Sequence, residues 1–127
     1  MTPNDWENPL LQGRKRLPAH TTLMPYPDDA VALSGNRFDS PFCHLLNGDW
    51  HFHLAPNPSA APPFQLPDFD SSGRVSLSVP GNWQLQGYDT PYYTDVQLPF
   101  PPDDVPRVPA EENPTGCYRR TFRVPDA

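Results

Sequence analysis

One short segment combines a polar side chain with a backbone that would hold it in place. The chain reads Glu-Asn-Pro-Thr-Gly-Cys-Tyr from Glu112 to Tyr118. Pro114 favours an extended conformation for Asn113, because the proline ring clashes with a helical residue before it. The spacing Asn-Pro-x-Gly also predicts a type I turn, and a strand-like run follows at once. We therefore expect the Asn113 amide at the mouth of a sheet, where a ligand could reach it.

Three histidines lie close together in the sequence and could bind a metal ion. His51 and His53 are two apart in a predicted strand, so their side chains share one face, and His44 is nearby. No cysteine or carboxylate is placed to complete a tetrahedral site with them. The pattern therefore favours an exposed polar face over a metal centre.

A group of carboxylates in the C-terminal part of the chain could in principle act as acids and bases. Hydrolysis of a glycosidic bond needs two carboxyl groups held at a defined separation around the substrate. The candidates Asp103, Asp104, Glu111 and Glu112 lie instead in a proline-rich loop, which favours solvated charge. The sequence contains neither a glycine-rich phosphate loop nor a serine or cysteine nucleophile with a suitable partner. The residues by themselves therefore indicate no catalytic set.

The pattern of apolar residues predicts three short strands, over residues 49–54, 75–79 and 117–124. In the first of them Trp50 and Phe52 alternate with polar residues, the period of a half-buried strand. Short strands with turn-rich connections predict an all-β sandwich or barrel. Three or four strands are too few to bury both faces of such a fold.

Turn and cap signals lie between these strands. Asn-Gly at positions 47–48 predicts a hairpin before the first strand. Asp28 is placed to cap one helical turn that reaches Leu33. The remainder of residues 1–40 shows no persistent period and reads as an irregular arm. Trp83, like the tryptophan of the first strand, could stack on a sugar but is expected in the core.

Composition excludes several classes of protein. The 127 residues include 20 prolines, so much of the chain must be loop or extended. A net charge of −6 argues against nucleic-acid binding. No apolar run is long enough to span a membrane, and the N-terminal residues do not form a signal peptide. Cys43 and Cys117 are expected to be reduced thiols.

Several motifs, taken together, resemble the opening of the long bacterial β-galactosidases of glycoside hydrolase family 2. They follow that family's order and spacing over nearly the whole chain. The motifs are Asp-Trp-Glu-Asn-Pro from Asp5, Leu-Asn-Gly-Asp-Trp-His-Phe from Leu46, Val-Pro-Gly-Asn-Trp-Gln from Val79, Gly-Tyr-Asp-Thr-Pro from Gly87, and the segment that contains Asn113.

The resemblance implies a fold, an assembly and an activity. Residues 41–127 would form the first half of an N-terminal jelly-roll sandwich, a galactose-binding-like domain. Residues 1–40 would be the extended arm that helps to build the subunit interface of a homotetramer. The parent enzyme would be cytoplasmic and would hydrolyse terminal non-reducing β-D-galactosides such as lactose. Its two catalytic glutamates lie in a later barrel domain and act by a retaining mechanism, so this chain alone is expected to be inactive.

The resemblance also implies two sites. Asn113 matches the asparagine that reaches from the first domain into the galactose site. Asp5, Asn8 and the backbone carbonyl of Leu11 match ligands of a structural Mg²⁺, and the full-length parent also holds Na⁺. These are hard oxygen donors of the kind that Mg²⁺ prefers.

Two alternatives remain open at this point. The chain could be a non-catalytic carbohydrate-binding or assembly module, with Trp83, Tyr92 and Tyr93 as its platform. It could also belong to another family 2 glycosidase, such as a β-glucuronidase. One departure from the family pattern concerns packing: Arg120 lies on the apolar face of the last predicted strand, so either another segment satisfies its guanidinium or the strand turns locally.

Overall fold

The computed structural model describes residues 4–93, 95 and 98–124. The chain forms two compact units, one made of the residues up to Leu10 together with those from Asn47 onward, the other of Leu11–Leu46. The predicted division into an arm over 1–40 and a domain over 41–127 stays a prediction. No helix in the described part of the chain is long and apolar enough to cross a membrane.

The first unit is built on one antiparallel sheet of three strands. They are β1 (Gly48–Ala55), β2 (Val75–Val79) and β3 (Thr115–Arg119), in the order β2-β1-β3. The predicted all-β class is confirmed, since the open sheet is consistent with a sandwich domain and the described residues contain almost no helix. The first two strands lie where the alternation predicts them. The third is wrong at both ends, because it begins two residues earlier than predicted and stops at Arg119.

The apolar face of the sheet is centred on Phe52, which is 1% exposed. Register places Phe52 opposite Val75 on β2 and Tyr118 on β3. The Phe52 ring centroid lies 4.9 Å from that of Tyr118 and 5.0 Å from that of Tyr88. Tyr88 comes from the long loop between β2 and β3, so this loop covers the central strand on the apolar side.

Trp83, in the same loop, lies against β3 at the one residue that has no side chain. Its ring stacks on Tyr118 with centroids 6.4 Å apart and an interplanar angle of 30°. A Cβ atom added to Gly116 would lie 2.3 Å from the indole ring of Trp83. Glycine at this position therefore permits the close approach, and the core interpretation of Trp83 agrees with this packing.

The predicted hairpin at Asn47-Gly48 is wrong. Gly48 is the first residue of β1, and residues 43–47 form no strand. Its φ of +114°, which glycine adopts readily, turns the chain into β1 instead of closing a hairpin. The guanidinium of Arg120 lies beside this glycine and donates to the carbonyl of Asn47. Both explanations offered for Arg120 therefore hold, since another segment contacts its guanidinium and the strand has ended before it.

The polar face of the sheet is covered by residues 56–73, which we call the strap. Arg119 donates from Nη1 to the carbonyls of Phe64 and Leu66, both at 2.6 Å, and from Nη2 to that of Pro67 at 2.9 Å. Cys117, on the same face, is only 3% exposed. The polar face is thus partly buried. The expected exposure is correct for His51, whereas His53 is half-buried.

The outer edge of β2 is occupied by a side chain. The amide of Gln86 accepts a hydrogen bond from the backbone N–H of Ser78 and donates one to its carbonyl, both at 3.0 Å. A side-chain amide here makes the two bonds that a neighbouring strand would make. On the other edge, β3 pairs with β1 alone among the described strands.

The second unit contains one short helix, α1 (Asp29–Leu33). Asp28 caps it as predicted, since its carboxylate accepts from the backbone N–H of Val31 at 2.9 Å. Ser40 is buried and donates from its hydroxyl to the carbonyl of Pro25 at 2.7 Å. These contacts fold the irregular segment back on itself with little apolar burial.

The contact between Gly116 and the indole ring gives a direct test of the apolar packing. Gly116→Ala should lower the free energy of unfolding by about 1–3 kcal/mol, the usual cost of adding a methyl group to a filled core. Gly73→Ala is the matched control, because nothing lies within 4 Å of its added Cβ and surface changes usually stay within about 0.5 kcal/mol. Urea unfolding followed by tryptophan fluorescence measures both. Equal midpoints for the two variants would contradict this packing.

Candidate functional site

Asn113 lies just beyond the end of the sheet. The last pair of the ladder joins Ala55 to Thr115, two residues after Asn113. The predicted type I turn is wrong, because Thr115 and Gly116 already belong to β3. A type I turn would place Thr115 near the helical region. Its pairing with Ala55 of β1 requires an extended backbone instead. The other part of the prediction, an amide at the mouth of a sheet, agrees with this placement.

The Asn113 side chain is not used to close its own turn. Its backbone carbonyl accepts a hydrogen bond from the Thr115 hydroxyl at 3.0 Å. Among the described residues, no group makes a hydrogen bond with the side-chain amide itself. An amide carries two donor hydrogens and an acceptor oxygen, and here all of them remain available to a ligand. The residue is half-buried, and it stands two residues before the first paired residue of β3.

The three aromatic residues of the possible sugar platform do not share one environment. Trp83 packs in the core against Phe52, with ring centroids 6.1 Å apart. Its indole N–H is buried and has no hydrogen-bond partner among the described residues. Tyr92 and Tyr93 are instead 56% and 73% exposed, and the Tyr93 hydroxyl donates to Asp95 at 3.2 Å. The two tyrosines are the exposed part of that set.

Two of the three expected metal ligands stand at the two ends of one short turn, Asp5 as its first residue and Asn8 as the residue that follows it. A 3₁₀ turn spans Asp5–Glu7, and the N–H of Asn8 donates to the Asp5 carbonyl at 3.3 Å. Residues three apart on such a turn point to the same side, so this backbone can present a carboxylate and an amide oxygen together. The Asn8 Oδ1 atom accepts from the N–H of Leu10 at 3.1 Å, which leaves its second lone pair. Leu11 belongs to the second unit.

The donor set of this turn fits Mg²⁺ in kind, although two side-chain oxygens are fewer than the octahedral six. Clusters of three or more His, Cys, Asp or Glu able to hold a metal are absent from the described ranges. The ligand set implied by the resemblance contains one carboxylate, one amide and one carbonyl, so it is not of that type.

Glu7 holds the Asp5–Glu7 turn through contacts that sequence reasoning missed. One oxygen of its carboxylate accepts from the N–H of Val108 at 3.1 Å and the other from the side chain of Asn4 at 3.0 Å. The turn that carries Asp5 and Asn8 is thereby tied to the proline-rich segment before β3. Glu7 is part of an N-terminal motif, but its partner lies 101 residues away and has no local signal.

The titratable groups near the sheet give no catalytic pair. Burial raises the pKa of the Cys117 thiol, and the nearby charge of Arg74 offsets this only in part. Burial likewise raises the pKa of the Tyr118 hydroxyl. Both groups therefore stay protonated and are poor nucleophiles. The four loop carboxylates are exposed, as expected, and Asp104 pairs with Arg107 at 2.9 Å.

A family model and several known proteins match this chain over most of its length. Residues 43–127 match the family model described as glycosyl hydrolases family 2, sugar binding domain. The chain is 49% identical to a β-galactosidase of Erwinia tasmaniensis over 96% of its length. The identity is 44% over 97% of the chain for a β-galactosidase of Psychromonas ingrahamii and 45% over 94% for one of Pectobacterium atrosepticum. The chain spans only 11–12% of the length of these relatives.

The free amide at position 113 predicts a contrast between two neighbouring substitutions. Asn113→Ala should change the free energy of unfolding by no more than about 0.5 kcal/mol, because the amide holds no part of the described structure. Thr115→Val keeps the side-chain shape but removes the hydroxyl that bonds the Asn113 carbonyl, and should cost about 1 kcal/mol. Urea midpoints compare the two. A larger loss for Asn113→Ala would make the amide structural.

Proposed function

We propose, since the chain belongs to glycosyl hydrolases family 2, that it is the N-terminal, sugar-binding part of a longer β-galactosidase. The whole protein would hydrolyse terminal non-reducing β-D-galactosides such as lactose. The relatives named β-galactosidase support this proposal, because the identity of 41–49% extends over nearly the whole chain. The observation that carries it here is the Asn113 amide, which lies just beyond the end of the sheet and is engaged by no described group.

In this proposal Asn113 binds and orients the sugar and performs no chemistry. An amide can donate to one sugar hydroxyl and accept from another, but it does not exchange protons at neutral pH. The attachment of Asn113 two residues before β3 lets the ladder restrain its backbone, while its side-chain amide stays available to the ligand. The proline that follows restricts Asn113 to extended conformations, which lowers the cost of holding the amide in one place.

The chemical step would come from residues outside this chain. A retaining double displacement needs one carboxylate as nucleophile and a second carboxyl group as acid and base, about 5 Å apart. The carboxylates of the proline-rich loop are exposed in the described structure, and no surrounding group sets such a separation between them. We therefore expect the chain to be inactive when it is separated from the rest of the enzyme.

A second candidate function is that of a carbohydrate-binding module without chemistry. The exposure of Tyr92 and Tyr93 favours it, since exposed aromatic rings can stack on the apolar faces of sugars. This candidate differs from the first in a simple way. It predicts measurable binding of galactose or lactose by the separated chain, whereas a partial sugar site should bind either one very weakly.

The Asn113 proposal predicts a defined kinetic effect in the full-length enzyme. Asn113→Ala should lower kcat/KM for a β-galactoside roughly 10- to 100-fold, the loss expected for one or two hydrogen bonds to sugar hydroxyls. Asn113→Asp keeps the shape and the acceptor, and shows how much of the effect depends on the donor. Steady-state kinetics with β-galactoside and β-glucuronide substrates measures both the effect and the preference. Unchanged kinetics in Asn113→Ala, or a preference for the glucuronide, would contradict the proposal.

We also infer that Asp5, Asn8 and the carbonyl of Leu11 take part in a structural Mg²⁺ site of the full-length enzyme, which would hold Na⁺ as well. The 3₁₀ turn that begins at Asp5 and is followed by Asn8, together with the hard character of the oxygens, supports this inference. Waters or residues beyond this chain would supply the other ligands. Bound Mg²⁺ would supply fixed positive charge, and Glu7 would hold the turn in place through its bonds to Val108 and Asn4.

Removal of the carboxylate charge tests the metal site. Asp5→Asn should raise the Mg²⁺ concentration needed for half of the thermal stabilisation by at least about tenfold, because the ion loses a charged ligand. Asp103→Asn removes the same charge from an exposed loop and should have no effect. Thermal unfolding of the full-length enzyme after chelation, with Mg²⁺ added back, measures both. Equal Mg²⁺ dependence in the two variants would sink the assignment.

The assembly and location of the whole protein follow as proposals. Five large apolar side chains of the second unit are between 58% and 87% exposed, namely Leu17, Leu23, Leu33, Phe38 and Phe42. Exposed apolar side chains of this size are available to pack against another subunit, which supports the role of the arm in a homotetramer. The thiols of Cys43 and Cys117 are unpaired with each other, which supports a reducing compartment such as the cytoplasm.

A further inference from the structure

The outer edge of β2 is occupied at one residue and open at another. Both backbone groups of Ser78 are bonded by the side-chain amide of Gln86, at 3.0 Å each. Residues two apart on a strand present their backbone groups to the same edge, so Ser76 presents its N–H and carbonyl there as well. No side chain of the described residues bonds the backbone of Ser76. One side chain therefore controls whether this edge can accept another strand.

The loop after β2 holds the Gln86 amide in this position. Gln86 is the last residue of a 3₁₀ turn, Trp83–Gln86. Residues three apart on such a turn point to the same side, so the packing of Trp83 in the core directs Gln86 toward the sheet. Gly81 leaves room for the amide, since a Cβ atom added there would lie 2.7 Å from Nε2 of Gln86 and 2.9 Å from the carbonyl oxygen of Ser78. The contact thus depends on a core tryptophan and on a glycine.

The sequence of β2 reads the same in both directions, Val-Ser-Leu-Ser-Val from Val75 to Val79. The strand can therefore pair with an antiparallel copy of itself about a twofold axis at Leu77. Val75 of each copy would then face Val79 of the other. Ser76 would face Ser78, and their outward groups would exchange both N–H···O bonds, as bonded pairs of an antiparallel ladder do. A self-complementary contact of this kind is typical of twofold dimers.

The side chains of β2 favour the same pairing. Val75, Leu77 and Val79 share the apolar face of the sheet. Val75 is 47% exposed, so pairing would bury it against the other copy's valine, and β-branched neighbours across strands stabilise a sheet. The strand contains no charged residue, although charges are a common means of keeping edge strands apart. Repulsion within the strand therefore does not oppose the pairing, and the Gln86 amide is the obstacle that remains.

We propose that the outer edge of β2 is an interaction surface for a second copy of this chain, and that the Gln86 amide keeps it closed. While the amide bonds Ser78, a second β2 strand finds one of the two bonding residues taken. When the amide is removed, Ser76 and Ser78 become available together and two copies can pair. The contact is autoinhibitory, because the side chain makes the bonds of the strand that it excludes.

Amide hydrogen exchange at Ser76 tests the proposal, because this N–H gains a bond when a second strand pairs. NMR measures it in the full chain at about 20 and about 500 µM, a range suited to weak pairing through a small interface. In the parent chain the rate should not depend on concentration. In Gln86→Ala it should be about tenfold slower at the higher concentration, as expected for one added hydrogen bond. Gln84→Ala removes the same side chain from the same turn without touching Ser78, and should behave like the parent.

Two further variants identify the contact, with sedimentation velocity as the measurement. Gly81→Ala retains Gln86 but displaces its amide, so it should associate at high concentration as Gln86→Ala does. Ser76→Pro, added to Gln86→Ala, removes an N–H that points away from β1, which an edge strand tolerates. The double variant should sediment like the parent, because one of the two bonding residues has lost its donor.

Three results would overturn the proposal. They are concentration-dependent exchange at Ser76 in the parent chain, its absence in Gln86→Ala, and its presence in Gln84→Ala. A measurement without substitution guards against a variant that fails to fold. In the parent chain the Ser78 amide must exchange at least about tenfold more slowly than the Ser76 amide, both relative to the unfolded chain, and equal rates would also overturn the proposal. So would protection of Ser76 at every concentration in the full-length enzyme, because another segment of the same polypeptide would then occupy the edge.

Discussion

The described sheet depends on covering its central strand from both sides without a second sheet. β1 pairs on both edges, and Phe52 and Cys117 are buried on opposite faces. Two irregular segments do the covering. The loop between β2 and β3 supplies aromatic rings to the apolar face, while the strap crosses the polar face and is held by Arg119. Because β1 is enclosed in this way, its last pair, Ala55 with Thr115, is held in position. A binding residue at that end of the sheet, such as Asn113, depends on this support.

The parts of this fold that the sequence predicts are those with a local cause. Alternation in the first two strands is visible because burial repeats every second residue, and the Asp28 cap is visible because its partner is three residues away. The strap could not be predicted. Its contacts join Arg119 to carbonyls more than 50 residues earlier, and backbone carbonyls have no sequence signature. The errors at Asn47-Gly48 and at the Asn-Pro-x-Gly segment have one reason, namely that strand pairing, of Gly48 with β2 and of Thr115 and Gly116 with β1, overrides local turn preference.

The candidate site likewise has features that local sequence predicts and features that depend on distant contacts. Its residues could be named from motifs, because Asn113, Asp5 and Asn8 each lie in a short recognisable segment. Whether those side chains are already engaged could not be read from any pattern. The free amide of Asn113 and the partly used oxygen of Asn8 are visible only once the neighbouring backbone is placed. The role of Glu7 was out of reach for the same reason, since the N–H that it accepts from belongs to a distant proline-rich segment.

The amide of Gln86 makes the two edges of the sheet unequal in their ability to pair with a further strand. An unoccupied strand edge recruits other strands, including those of neighbouring molecules, and is a common origin of aggregation. At Ser78 both backbone groups are already bonded by one side chain, so a further strand would first have to displace it. The outer edge of β3 carries no such block among the described residues. A polypeptide that continues this sheet therefore meets least resistance beside β3, the strand that also leads away from Asn113.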